Sequence, residues 1–160
     1  MPEPLSLRPR TAQDLDTIIS WIPDDAALLM FAGPRLSWPP TGAQFAEPAA
    51  VPGLTSWVMC AGRTPPLGHA ELTVRNGHAH IARVIVNPLF RGQGLSKRLM
   101  RMVVGRARAQ GARSAGLRVI KGNTVALRAY QQLGFVIDPR GETAEAWVLE
   151  LDLGEPAANG

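Results

Sequence analysis

One stretch, Val84 to Met100 (VIVNPLFRGQGLSKRLM), constrains this chain more than any other. A run of β-branched apolar residues passes through the turn pair Asn87-Pro88 into a glycine-rich loop, Arg91-Gly92-Gln93-Gly94-Leu95-Ser96, and then into a helical pattern. Loop glycines let backbone N–H groups converge, and the helix N-terminus adds about half a positive charge, so this order of elements builds a cradle for an anion. The loop is not a P-loop, because no Gly-Lys-Ser/Thr closes it. Nor is it a dinucleotide fingerprint, because the third glycine is missing.

A second block lies about thirty residues on: Asn123, Ala126, Ala129 and Tyr130, followed by Leu133-Gly134-Phe135. Asn123 reads as a helix N-cap and Gly134 as the glycine that ends the helix. The first block resembles the pyrophosphate-binding signature of the GNAT acetyltransferases, in which Gln or Arg, two residues, Gly, one residue, and then Gly or Ala precede a helix. Arg91, Gly94 and Ser96 occupy the marked positions, with the small Ser96 as the one departure. The second block is similar to the family's C-terminal signature of Asn, Ala, Tyr and Leu-Gly-Phe. On both blocks, in this order and spacing, the chain is identified as a member of that family, of bacterial type.

The resemblance implies an α/β (α+β) GNAT fold: a mixed, mostly antiparallel twisted sheet of about six to seven strands flanked by about four helices. It also implies acetyl-CoA as cofactor and an amine as acceptor. The amides of Gly92, Gln93, Gly94, Leu95 and Ser96 would hold the pyrophosphate, with Arg91 and Lys97 neutralising phosphate charge. Backbone groups of Val84, Ile85 and Val86 would pair with the pantetheine arm, one N–H polarising the thioester carbonyl. Asn123, with Ala126 beside it, matches a position that contacts the same arm. Tyr130 matches the general acid that protonates the departing thiolate, and its ordinary pKa near 10 makes it a ready donor at neutral pH. A buried structural tyrosine is the alternative. A non-catalytic acetyl-CoA sensor is a second reading of the whole chain, against which intact Tyr130 and Asn123 stand.

The acceptor amine needs a base. A lysine-like amine, with pKa about 10.4, is neutral about one time in a thousand near pH 7.4, a handicap of about 4 kcal/mol. Gly68 to Arg75 alternates apolar and polar residues, and Asn76-Gly77 is a two-residue type I′ hairpin turn that sets Arg75 opposite His78, Thr73 opposite His80 and Glu71 opposite Ala82. Glu71 and His80 then lie diagonally on one face, within reach of a direct or water-bridged contact, unless a bulge near Arg83 re-aims the later residues. His80, whose ordinary pKa suits the task, is the first candidate base and Glu71 the second.

The rest of the chain reads in order as a strand over Leu5–Arg10, a helix from Ala12 to Trp21 with Thr11 and Asp14 as a capping pair, and a short helix from Asp24 to Met30. Phe31–Pro40 is too rich in proline and aromatics for regular structure, and Thr41 opens one more short helix through Phe45. Trp38-Pro39 loosely resembles an element in a bacterial subgroup. Phe31 and Trp38 either line an acceptor slot or pack in the core, and Asp24 and Asp25 either attract a cationic amine or serve a helix start. Strands follow at Ser56–Ala61, Ala115–Ile120, Phe135–Asp138 and Ala144–Leu153. A helix from Leu95 buries a stripe of Leu95, Leu99, Met102, Val103 and Ala107 and ends at Gly111.

One domain over residues 1–153 with a tail over 154–160 is expected. The single cysteine, Cys60, forms no internal disulfide and reads as a small buried hydrophobe. No apolar run reaches the length of a membrane span, and a cytoplasmic location is expected. The net charge of +4 raises nucleic acid as a partner. The excess of Lys and Arg gathers in and after the glycine loop, however, with no interleaved aromatics, so a coenzyme's phosphates are the better match. Arg106 and Arg108 read as a solvated helix face. No metal site is expected. The acceptor (small molecule, peptide or protein amine) and the choice of monomer or homodimer stay open.

Overall fold

A computed structural model describes residues 4–45 and 50–155. Seven strands form one sheet: β1 (Leu5–Pro9), β2 (Leu54–Ala61), β3 (Gly68–Arg75), β4 (His78–Val86), β5 (Ser114–Ile120), β6 (Val136–Ile137) and β7 (Ala146–Asp152). Their order across the sheet is β1-β2-β3-β4-β5-β7-β6, all antiparallel neighbours except β4 and β5. Four helices flank it: α1 (Ala12–Ser20), α2 (Asp25–Ala32), α3 (Leu95–Ala109) and α4 (Thr124–Gln132).

Local chemistry explains most element ends. Thr11 and Asp14 form a reciprocal capping box on α1, and Asp24 caps α2 by accepting from the Ala27 N–H at 2.8 Å. Helix α2 continues through Phe31 and Ala32, past the point where the proline-rich run was expected to end regular structure. Gly33, at φ 70°, is what stops it. Around Thr41 only a 3₁₀ turn forms, Gly42–Gln44. The tail expected over 154–160 falls mostly on residues 156–160, outside the described residues.

The two sides of the sheet are covered differently. Along β2, Met59 faces the main core beneath α3, where Leu99, Met100, Val103 and Ala107 are buried. Met100, rather than Met102, completes that stripe; Leu95 and Met102 are half-buried at its edges. Val58 faces the other way, onto Ile18 and Trp21 of the α1 segment, and Cys60 is buried as expected. Arg106 is not simply solvated: its guanidinium lies over the Trp57 ring at 4.6 Å.

The β3–β4 hairpin has the register that Asn76-Gly77 dictates, with Arg75 opposite His78, Thr73 opposite His80 and Glu71 opposite Ala82. Both turn residues have positive φ, 52° and 77°. The next pair is His69 with Ile85, so β4 spends two residues, Arg83 and Val84, where β3 spends one. This is a β-bulge, and Arg83 sits in it at φ 54°. Already before the bulge, β4 and β5 part: only His78, Ala79 and His80 pair with Ser114, Ala115 and Gly116.

Candidate active site

That parting creates the site. Between the diverging ends of β4 and β5 lies a cleft of about 630 Å³, lined along one wall by Val84, Ile85 and Val86. Among the described residues no strand pairs with the β5-facing side of β4 past His80, which leaves its backbone groups open to an extended ligand.

The glycine loop closes one end. Gly92 and Gly94 have φ of 81° and 75°, and a Cβ added to either would meet nothing within 4 Å. The glycines are therefore needed for the backbone conformation, and the ground above them is open. Gly94 is the N-cap of α3 and, among the described residues, no side chain caps that helix, so the first-turn amides keep their capacity for an anion. Arg91, Gly92, Gly94, Leu95, Ser96 and Lys97 all line the cleft; Gln93 is exposed in the loop and outside the lining. Uncapped amides, two nearby cations and an adjoining unpaired strand fit a ligand with a diphosphate and an extended amide arm, as coenzyme A has.

Helix α4 forms the opposite wall with Asn123, Ala126 and Tyr130. Asn123 caps it, its Oδ1 accepting from the Ala126 N–H at 3.3 Å. Tyr130 is buried, its ring 6.2 Å from that of Phe135, and burial pushes the phenol pKa up to about 12. The phenol therefore holds its proton throughout the neutral and mildly alkaline range.

The remaining predicted residues lie on the α1/α2 face. Phe31 lines the cleft. Trp38 is 44% exposed and outside the lining, as are Asp24, which caps α2, and Asp25, which is exposed in the same first turn. His80 is also exposed and outside the lining; desolvation, then His78 and Arg118, lower its pKa, which favours the neutral imidazole. Glu71 is not joined to His80. Its buried carboxylate accepts from Arg10 Nη1 at 3.0 Å and from Arg83 Nη1 at 3.2 Å, and both guanidiniums stack on Phe45, at 5.6 and 5.1 Å.

His69 completes this network. Its Nδ1 lies 2.8 Å from the Arg83 carbonyl oxygen and its Nε2 lies 2.9 Å from Arg10 Nη1. A guanidinium only donates and a carbonyl only accepts, so the proton is on Nδ1. Burial first, and then Arg10, depress the His69 pKa to about 3. A neutral imidazole thus ties the bulge carbonyl to Arg10, while Arg83 reaches back to Glu71.

Comparison with known proteins agrees with this geometry. The model of the acetyltransferase (GNAT) family matches residues 24–135, more than half of the chain. The chain belongs to the GNAT family. Among solved structures, the GNAT chain is similar to a spermidine N-acetyltransferase from Vibrio cholerae in complex with CoA and spermine, at 17% identity and TM-score 0.75, over 93% of this chain and 95% of that one. It is also similar to the ribosomal-protein-S18-alanine N-acetyltransferase of Escherichia coli, at 17% identity and TM-score 0.71, over 98% and 99% of the two chains. A domain from Methanocaldococcus jannaschii gives 15% identity and TM-score 0.75, over 94% and 99%. At these identities the likeness is one of fold. Comparison with curated proteins finds no match.

Several lining residues of this GNAT site escaped the sequence reading: Trp21, Phe90, Val125, Arg83 and Arg118. Strand alternation was the available signal for Arg118, which stands two residues past Gly116 on β5. For Arg83 the sequence signals a bulge but not a place in the lining.

Proposed function

We propose that this GNAT chain is an N-acetyltransferase that moves the acetyl group of acetyl-CoA to a primary amine within a ternary complex. The observation that carries the reading is the juxtaposition of an unpaired β4, an uncapped α3 N-terminus and a buried, protonated Tyr130 around one cleft. Bound acetyl-CoA supplies an activated thioester, whose C–S bond breaks as the amine nitrogen forms a bond to the acyl carbon.

The chain's residues have separate tasks. Amides from Gly92 to Ser96 hold the diphosphate, and Arg91 and Lys97 offset its charge. Backbone groups of Val84, Ile85 and Val86 hold the pantetheine arm, and an N–H there stabilises negative charge developing on the carbonyl oxygen. Asn123 and Ala126 shape the far wall. Tyr130 gives its proton to the departing sulfur. The amine's proton leaves through solvent to His80, whose neutral form is the one that accepts. Glu71, held by two guanidiniums, orders the bulge and is the weaker base candidate.

The test is free-thiol release from acetyl-CoA across a panel of amino acids, polyamines, aminoglycosides and peptide amines. The reading predicts release that depends on both acetyl-CoA and a particular amine. Tight acetyl-CoA binding without release for any amine, peptide or small molecule, would favour a sensor.

A further inference from the structure

We infer that the acceptor is an amine carrying a carboxylate, and that Arg118 receives that carboxylate at the edge of the cleft. This rests on the acetyl-transfer reading above and adds the chemistry of the acceptor. The charged side chains lining the cleft are Arg83, Arg91, Lys97 and Arg118, and among the described residues no carboxylate lines it. Arg91 and Lys97 belong to the loop and first turn of α3 and suit the coenzyme's phosphates. Arg83 and Arg118 lie away from that loop.

Strand register places Arg118. His80 pairs with Gly116 in the parallel ladder, so Gly116 and Arg118 share the face that carries His80. Arg118 is exposed there and, among the described residues, has neither an ion pair nor a side-chain hydrogen bond. Arg83 is committed by contrast, bound to Glu71 and stacked on Phe45. Of the described carboxylates on this face, Glu71 is engaged with Arg10 and Arg83 and Glu150 with His78 at 3.2 Å, while Asp25 and Asp152 are exposed and stand outside the cleft lining. A polycation in the cleft meets like charge, with no carboxylate among the described lining residues to offset it. A carboxylate meets an open guanidinium whose planar fork accepts it in bidentate fashion. The same positive surroundings favour the neutral, attacking form of the acceptor's amine.

Matched acceptors test this. At saturating acetyl-CoA, kcat/KM is measured for the standard amino acids against their decarboxylated amines, for instance L-phenylalanine against phenethylamine, with spermidine as the polycation. The best amino acid should exceed its decarboxylated partner by about tenfold or more, the worth of one charged bidentate contact. In Arg118→Gln that ratio should fall by a similar factor while the KM for acetyl-CoA holds, and Arg118→Lys should restore part of it. Preference for spermidine or for the decarboxylated amines, or a ratio untouched by Arg118→Gln, would overturn the inference. So would tight acetyl-CoA binding with turnover of other amines but none bearing a carboxylate. Failure to bind acetyl-CoA at all would instead bring down the acetyl-transfer reading beneath it.

Discussion

Tyr130→Phe is expected to lower kcat by about 10²–10⁴-fold, the usual worth of a positioned general acid, with a much smaller change in the KM for acetyl-CoA. The variant removes one oxygen from a ring that stays packed against Phe135, so the cleft wall keeps its shape. The pH dependence follows from the burial of the phenol. With the pKa pushed up to about 12, Tyr130 stays protonated well above pH 10, and the activity of the native protein should show no alkaline decline from this group below about pH 11. A Phe variant with native kcat would remove Tyr130 from the chemistry and leave it as part of the wall.

Glu71→Gln has the second large expected effect, and it falls on stability. Arg10 and Glu71 are 4% and 8% exposed at their side chains and Arg83 is 16% exposed, so neutralising the carboxylate leaves two largely desolvated guanidiniums facing each other. Removing one partner of a buried ion pair costs about 3–5 kcal/mol. Urea unfolding should show a midpoint lowered by that free energy divided by the slope, with the slope itself unchanged. Were Glu71 simply a base at the acceptor site, the variant would unfold as the native protein does and lose activity alone. That result would contradict the role given to it here.

How far the sequence foretold this arrangement depends on the range of the interactions. The Asn76-Gly77 turn is local and admits little choice, so the register of β3 and β4 follows from it, down to the place of the bulge at Arg83. The caps at Thr11 and Asn123 are equally local and form as read, and Asp24, placed at the start of α2, stands one residue before it as the cap. The glycine loop is legible because its two positive φ angles require residues without a Cβ. In the sequence Phe31 reads as irregular chain because the following prolines dominate the pattern, yet α2 runs through it to the cap at Gly33. The network around Glu71 was hidden for a different reason. Arg10 is sixty-one positions away in the chain and reaches Glu71 only because β2 brings the end of β1 alongside β3. The diagonal contact with His80 loses to two guanidiniums that no local spacing reveals. The parting of β4 and β5 was likewise invisible, since three paired residues followed by divergence leave no mark in either strand's alternation.

The cleft between β4 and β5 is proposed to hold acetyl-CoA. The most direct test is calorimetric titration of acetyl-CoA into the native protein and into Gly94→Val, which places a β-branched residue at φ 75° in the loop. Saturable one-to-one binding to the native protein is expected, weakening as salt rises because phosphates are held by charge, with a clear loss of affinity in a variant that remains folded. No binding to the native protein, or equal binding by a folded Gly94→Val, would contradict it.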